Sequence, residues 1–314
     1  MKKYAGSFCL IIAAFIWGTA FVAQADAAES IPPFTFSALR SLVGAFVLFV
    51  FICARGKVAK KTAPVPGDGK QLIIAGMICG TVLCVAMNLQ QYGITVYPEQ
   101  VNNVPGRSGF LTAMYVVLVP IGGLFFKKKV GLPVWIAAAL AVVALWLLCL
   151  KNGFGSIYLG DILMLICALA FTVHIITVDT LGSLVDGIKL SCVQFLVAGI
   201  LSLVLGLIFE QKTSLQTIVQ AWLPILYVGV LSSGVAYTLQ IVGQSKTEPA
   251  VASIIMSMES VFAVLGGWVV FGDLLSGREL FGCGVMFAAV ILAQSPSFIQ
   301  SKKRSIPEKN AEKG

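Results

Sequence analysis

One apolar stretch, residues 109–129, constrains this chain more than any other feature of its sequence. It reads GFLTAMYVVLVPIGGLFFKKK, a predominantly apolar run that ends in three lysines. The run is long enough to cross the hydrocarbon core of a bilayer, which is about 30 Å thick, and lysines in this position are typical of the cytoplasmic end. The stretch therefore predicts a membrane-spanning helix.

The same pattern returns near the C-terminus at residues 253–273, SIIMSMESVFAVLGGWVVFGD. Corresponding pairs are Gly122-Gly123 with Gly266-Gly267, Met114 with Met258, Tyr115 with Glu259, Gly6 with Gly160, Trp17 with Phe171, and Arg40 with Gln194. The pairing indicates an internal duplication, and duplicated halves of a membrane protein usually build one pathway between them.

Composition excludes a soluble domain, because 58% of the residues are hydrophobic and only 11% are charged, with a mean hydropathy of +0.93. The apolar runs are nearly continuous and do not alternate with polar residues, which favours helices over a β-barrel. The eight cysteines lie in or beside these runs without a Cys-x-x-Cys pair. They are interpreted as small buried apolar residues, and neither a metal site nor a disulfide is expected.

The sequence predicts an all-α integral membrane protein with ten transmembrane helices in two five-helix inverted repeats. The expected spans are Ala5–Ala23, Phe34–Cys53, Leu72–Tyr92, the stretch 109–129, Leu132–Leu150, Leu159–Val178, Ile188–Phe209, Leu223–Val242, Ala250–Phe271 and Glu279–Ala293. Residues 1–150 form the first repeat, residues 151–294 the second, and residues 295–314 a disordered tail. Because five is odd, the second repeat enters the membrane from the opposite face.

A net charge of +8 suggests an anionic partner such as nucleic acid, but the distribution of the charge argues against one. Most Lys and Arg residues fall on one side of the predicted membrane: Lys2, Lys3, the loop Arg55–Lys70, Lys127–Lys129, Lys189, Lys246 and the tail from Lys302. This is the positive-inside pattern, and it places both termini in the cytoplasm and the chain in the cytoplasmic membrane. The expected partners are the lipid bilayer and a small molecule.

The first segment has a competing interpretation. Lys2-Lys3, an apolar run and the small-residue site Ala23-Gln24-Ala25 resemble a cleaved signal peptide. The run is longer than the usual core of a signal peptide, however, and it has a counterpart in the second half of the chain. We therefore expect the segment to be retained.

Five segments follow one another in the order of a known family. They are Phe15–Val22 (FIWGTAFV), Leu39-Arg40, Leu89–Ile94 (LQQYGI), Tyr115–Pro120 (YVVLVP) and Glu259–Asp273. In this order, and with the duplication, they resemble the EamA-type carriers of the drug/metabolite transporter superfamily over nearly the whole chain, from Tyr4 to Ala293. The resemblance implies a central cavity and the transport, often the export, of small metabolites. Two positions depart from the family pattern, because Ser260 follows Glu259 where proline is common, and His174 replaces a common tyrosine.

Two charged residues lie near the middle of predicted membrane helices. Burying the Glu259 carboxylate costs a few kcal/mol unless the group is protonated or paired, so Glu259 serves either proton coupling and substrate contact or structural pairing with a buried partner such as Arg40. Arg40 keeps its charge, and it either binds a substrate carboxylate or phosphate or forms a structural pair.

Further polar and aromatic residues in the helices are candidates for the cavity lining. They are Trp17, Asn88, Gln90, Tyr115, His174, Gln194, Tyr237 and Gln240. For each of them, packing or a hydrogen bond between helices is the alternative. Pro120 removes one backbone hydrogen bond, which makes it either a bending point or a static kink.

The sequence thus predicts a secondary transporter that is not an enzyme, works by alternating access, most simply exports its cargo, and uses a proton or ion gradient, because the sequence has no nucleotide-binding motif. No cofactor is expected. The alternatives are a lipid-handling or scaffold membrane protein and, with less support, an intramembrane enzyme. Close-packing glycines are consistent both with contacts inside one chain and with a homodimer. The sequence names neither the cargo nor the coupling ion.

Overall fold

The computed structural model describes residues 5–58, 69–98, 101, 104–125, 130–149, 157–210, 213–271 and 276–304. Within these ranges the chain is all-α and has no strand. The lysines at 127–129 lie outside them, as do the two termini. The sequence predicted a disordered tail from residue 295. In the structure a helix continues to Arg304, and the residues after it lie outside the described part.

Fourteen α-helices follow one another along the described chain. They are α1 (Ala5–Ser30), α2 (Pro33–Val58), α3 (Gly69–Thr95), α4 (Val104–Thr112), α5 (Tyr115–Phe125), α6 (Leu132–Cys149), α7 (Leu159–Leu181), α8 (Gly187–Phe209), α9 (Leu215–Gln220), α10 (Trp222–Tyr227), α11 (Tyr237–Gln244), α12 (Pro249–Met256), α13 (Glu259–Phe271) and α14 (Gly277–Arg304). A 3₁₀ turn at Gly182–Leu184 and a π-helix at Val228–Ala236 complete the described elements.

Eight helical segments are long and apolar enough to cross a membrane. They are Ala5–Ser30, Pro33–Arg55, Gly69–Thr95, Arg107–Phe125, Leu159–Leu184, Gly187–Phe209, Trp222–Gln244 and Gly277–Gln294. The other two predicted spans correspond to shorter apolar helices, Leu132–Leu148 and Pro249–Leu265. The outer faces of the bundle are apolar as well, with Phe125 84% exposed and Leu207 76% exposed, as expected of a surface in contact with lipid.

Two helices that the sequence predicts to be continuous are each broken in the structure. The first break separates α4 from α5 at Ala113-Met114, and the second separates α12 from α13 at Ser257-Met258. At both breaks the backbone hydrogen bonds span three residues instead of four, as in Met114 N to Leu111 O at 3.3 Å and Met258 N to Ile255 O at 3.2 Å. These three-residue hydrogen bonds interrupt the α-helical pattern at both sites, which hydropathy alone does not reveal.

A third predicted helix, residues 223–242, also departs from regular α geometry. Its middle winds as the π-helix, which contains Gly229, Ser232, Ser233 and Gly234. Short π segments inside helices occur frequently at functional sites.

Glycines let the helices of the two halves of the chain approach closely. A Cβ atom on Gly80 would lie 2.7 Å from both Gln194 O and Val197 Cβ. A Cβ atom on Gly229 would lie 3.0 Å from Arg40 O and 2.9 Å from Val43 Cβ. The Gly76-x-x-x-Gly80 spacing of the sequence, which lets two backbones approach closely, thus packs α3 against α8.

The carboxylate of Glu210, the residue that follows α8, accepts hydrogen bonds from the first turn of α2. Glu210 Oε1 accepts a hydrogen bond from Phe34 N at 2.6 Å, and Oε2 accepts from Thr35 N at 2.9 Å and Thr35 Oγ1 at 2.7 Å. The first N–H groups of a helix have no partner within the helix, so Glu210 supplies one and fastens α8 to α2.

Gly18 provides a test of the packing of α1 against α13. A Cβ atom at this position would lie 2.5 Å from Glu259 O and 2.8 Å from Ala263 N, and backbone atoms cannot turn away as a side chain can. We expect Gly18→Val to destabilise the protein by about 1–3 kcal/mol, the usual cost of overpacking. Thermal unfolding in detergent measures the loss.

The matched control is Gly284→Val, because Gly284 also lies within a helix and a Cβ atom there would meet nothing within 4 Å. Equal melting temperatures for the two variants would contradict the close packing of α1 and α13.

Candidate functional site

The two breaks place a tyrosine and a glutamate against each other. Tyr115 begins α5 and Glu259 begins α13, and the Tyr115 hydroxyl donates a hydrogen bond to Glu259 Oε1 at 2.9 Å. Both side chains are buried. In the first turn of a helix, free backbone N–H groups and the helix dipole favour a negative charge. The contact joins two positions that the sequence aligns between the halves of the chain.

Arg40 is a buried cation without a counter-ion. It lies on α2, is 3% exposed, and donates from Nη1 to Gln24 Oε1 of α1 at 2.8 Å. Its Nε atom has no hydrogen-bond partner, and no residue of the described part of the chain forms an ion pair with it. The structural pair with Glu259 that the sequence left open is therefore not formed. A buried charge in this position favours an anionic partner.

Both groups face one central cavity. It is lined by Trp17, Phe21, Gln24, Arg40, Gln90, Thr112, Tyr115, Phe171, Ile175, Ser232, Tyr237, Gln240, Met256 and Glu259. The space between these side chains is about 490 Å³, of which about 40 Å³ admits the centre of a water molecule. In this conformation the cavity holds a few waters, and a metabolite enters only if its walls move apart.

The cavity wall carries unused hydrogen-bonding groups of both kinds. Trp17 Nε1 is a buried donor without a partner, and Gln240 Oε1 is a buried acceptor without one. The Trp17 ring packs edge-on against Tyr237, with 4.8 Å between ring centroids. The cavity therefore has an aromatic wall and separate positions for acceptor and donor groups.

Seven of the ten residues that the sequence nominated line this cavity, and three lie outside it. Asn88 Nδ2 donates to Ser202 Oγ at 2.7 Å, a bond between α3 and α8 that fits the packing interpretation. His174 Nε2 and Gln194 Oε1 lie 3.2 Å apart, which joins α7 to α8. Since an amide oxygen only accepts, His174 carries a proton on Nε2 in this bond.

Half of the residues that line the cavity were not among the residues nominated from the sequence. The residues not nominated are Phe21, Gln24, Thr112, Phe171, Ile175, Ser232 and Met256. Gln24 had a readable signal, because an amide inside an apolar helix requires a partner, yet it was considered only within the signal-peptide interpretation, which was set aside. The π-helix brings Ser232 to the cavity, and no residue pattern in the sequence predicted a π-helix there.

A second polar group, the Asp161 cluster, consists of Tyr97, Arg107, Tyr158 and Asp161. Arg107 binds the Asp161 carboxylate through Nε at 2.5 Å and Nη2 at 2.6 Å, and the Tyr97 hydroxyl donates to Asp161 Oδ1 at 2.8 Å. The guanidinium lies 5.1 Å from the Tyr158 ring centroid. Burial and the bond to Asp161 raise the pKa of Tyr97 above its usual range, so its hydroxyl remains a donor. The cluster fastens the start of α4 to the start of α7.

A second cavity lies on the other side of the central one, near the ends of α7 and α11. It is lined by Val119, Gly123, Val130, Ile176, Asp179, Gln244, Ser245, Thr247, Glu248, Pro249 and Ala250. About 480 Å³ of it admits the centre of a water molecule, so it is far roomier than the central cavity. Among the described residues, no group of His, Cys, Asp and Glu is arranged to hold a metal ion.

Comparison with known families identifies the class of protein. The model of the EamA-like transporter family matches residues 4–150 and matches again at residues 158–294. The two matches cover nearly the whole chain, so the chain belongs to this family and is a multi-pass membrane protein. The resemblance that the sequence motifs suggested is confirmed.

Several curated relatives are similar over most of their length. An uncharacterized transporter of Archaeoglobus fulgidus is 29% identical over 93% of this chain and 86% of its own. The uncharacterized inner membrane transporter YedA of Escherichia coli K12 is 25% identical over 88% of this chain and 86% of its own. The uncharacterized transporter YwfM of Bacillus subtilis is 26% identical over 93% of this chain and 94% of its own.

One solved crystal structure has the same fold. It superposes on 95% of this chain and 99% of its own, with a TM-score of 0.77 and 16% sequence identity. At this identity the likeness concerns the fold alone.

The Asp161 cluster gives a prediction about stability. We expect Asp161→Asn to destabilise the protein by about 3–5 kcal/mol, because it leaves the Arg107 charge buried without its partner. The double variant Asp161→Asn with Arg107→Met removes both charges and is expected to recover much of the loss. Thermal unfolding of the single and double variants measures the coupling.

Asp26→Asn is the control, because Asp26 is an exposed carboxylate on α1. If Asp161→Asn is no more destabilising than Asp26→Asn, the pair does not hold these helices together.

Proposed function

We propose that this chain is a secondary carrier that moves a small polar or amphiphilic metabolite across the cytoplasmic membrane by alternating access. One observation carries the proposal: two helices are interrupted at corresponding positions, and the interruptions direct Tyr115 and Glu259 into a single buried cavity. Interrupted helices in the two halves of inverted-repeat carriers commonly hold the substrate and the coupling ion. Membership of a transporter family supports the same function.

The architecture in this proposal is two inverted five-helix repeats, residues 1–150 and 151–294. The double match of the family model supports it. The glycine contacts support it as well. Gly80 packs against Gln194, and Gly229 packs against Arg40, which is the residue that aligns with Gln194. The positive-inside pattern orients both termini toward the cytoplasm.

Arg40 and Glu259 have separate roles in this carrier. The Arg40 guanidinium, whose Nε has no hydrogen-bond partner among the described residues, lines the cavity together with Trp17 and binds an acidic group of the cargo, such as a carboxylate or a phosphate. Glu259 takes up a proton on one side of the membrane and releases it on the other. Export of cargo in exchange for protons then follows if both species compete for the one cavity.

The two ends of the pathway differ in this conformation. In the proposed orientation α7 begins on the external side, so the Asp161 cluster closes the external end, whereas the second cavity opens toward the cytoplasm. The conformation is accordingly an inward-facing state with a narrowed central site, and external opening requires the Arg107–Asp161 pair to separate.

A binding screen tests the cargo class. We expect small molecules with an acidic group to raise the melting temperature of the purified protein, since a ligand that binds only the folded state stabilises it by mass action. Arg40→Gln, which installs the residue found at the corresponding position 194, is expected to lose the shift for acidic ligands.

The panel should contain each acidic compound beside its neutral amide, which controls for size and shape. Equal shifts for acid and amide, or unchanged shifts in Arg40→Gln, would contradict the role of Arg40. A screen in which no metabolite binds would favour the lipid-handling alternative.

Proton coupling is tested by Glu259→Gln. We expect this variant to lose transport driven by a pH gradient by at least about tenfold, equivalent to roughly 1.4 kcal/mol, because the amide cannot carry the proton. Exchange of labelled for unlabelled cargo at equal pH on both sides is expected to persist. Proteoliposomes measure both activities.

Glu29→Gln is the control, since Glu29 is an exposed carboxylate near the end of α1 and does not line the cavity. Gradient-driven transport at the parent rate in Glu259→Gln would rule out Glu259 as the coupling residue.

A further inference from the structure

The second cavity contains a buried polar atom that no residue in the described part of the chain satisfies. Gln244 lies at the end of α11, lines this cavity and is 2% exposed. Its Nε2 atom donates to Ile175 O at 3.2 Å, and its Oε1 atom has no hydrogen-bond partner. A buried acceptor without a partner is costly, so this position favours an occupant that donates a hydrogen bond.

The orientation of this amide is fixed by its neighbour. A backbone carbonyl oxygen only accepts hydrogen bonds, so Nε2 must face Ile175 O and Oε1 must face away from it. Turning the amide over would bring two oxygens together. Gln244 therefore presents an acceptor and cannot exchange it for a donor.

The remaining wall of the cavity defines the chemistry of the occupant. The carboxylate of Glu248 also lines it, together with the apolar side chains of Val119, Val130 and Ile176. Carboxylates favour a positively charged donor, and the apolar part favours a short hydrocarbon chain. The sequence places Lys127–Lys129 just before Val130, outside the described residues, so an anionic occupant is the competitor that a test must exclude.

Gln244 lies one helical turn beyond Gln240, whose unpaired Oε1 faces the central cavity. Three other segments are shared in the same way. Residues 115–123 contribute to both cavities, as do residues 175–179 and 249–256. The two cavities are consecutive positions along the same helices, with matching acceptors on residues separated by about 6 Å of helix rise.

We infer that the second cavity is a binding site for the ammonium group of a small amphiphilic amine, with Gln244 Oε1 as its hydrogen-bond acceptor. The site precedes the central cavity on the path that the proposed carrier function requires. In that role it selects cargo with an N–H donor before the cargo reaches Gln240.

Protection of a cysteine from a thiol reagent tests this site. Ser245 is exposed and lines the cavity, so Ser245→Cys introduces a reporter with little change in size. The variant is placed in nanodiscs, where both faces are accessible, and its modification by a neutral maleimide is timed with n-butylammonium or with butyrate. The parent chain gives the background from its eight cysteines.

We expect butylammonium to slow the modification about fivefold at about four times its dissociation constant, because the rate follows the unoccupied fraction. Butyrate is expected to have no effect, and the added substitution Gln244→Leu should abolish protection by butylammonium. If Gln244→Leu does not fold, Glu248→Gln replaces it and is expected to weaken the protection.

Equal modification with and without butylammonium would mean that only water occupies the cavity, and equal protection by butyrate would overturn the charge selectivity. Protection that persists in a folded Gln244→Leu variant would overturn the role of Gln244. Because the assay involves no transport, protection without transport would refute the carrier proposal and leave the amine site standing.

Discussion

Every backbone N–H and C=O group within a membrane needs a partner inside the protein, and the rest of this structure depends on that constraint. It accounts for a described chain made of helices. It also limits where the helices can be interrupted, and at both interruptions, Ala113-Met114 and Ser257-Met258, some hydrogen bonds are retained with a shorter, three-residue span. The residues that follow the interruptions, Tyr115 and Glu259, line the same cavity.

Much of the fold was predictable because hydropathy, charge and duplication are properties of long segments. Eight predicted spans are helices of membrane-crossing length, and the glycine spacing on α3 correctly predicted close packing. The interruptions were not predictable, because a residue such as Met114 has no conformational preference that breaks a helix. The π-helix was missed for the same reason, and with it the position of Ser232 on the cavity wall.

The site was predicted well where a side chain is chemically out of place in hydrocarbon, and poorly where it is not. Arg40, Glu259 and Gln240 stand out in apolar helices, and all three line the cavity. Phe171, Ile175 and Met256 are as common on a lipid-facing surface as on a cavity wall, so composition cannot separate the two. His174 and Asn88 have the alternative role that the sequence left open for them, a hydrogen bond between helices.

The hydrogen bonds from the first turn of α2 to Glu210 limit which helices can move relative to each other. It ties a helix from the second half of the sequence to one from the first, and the glycine contact of Gly199 with Leu42 lies along the same pair. If one half of the sequence moved as a rigid body against the other, the hydrogen bonds of Glu210 and the contact between Gly199 and Leu42 would be broken. In the proposed alternating-access cycle, α2 and α8 would therefore move as one unit, and the boundary between the moving parts would cut across the duplication.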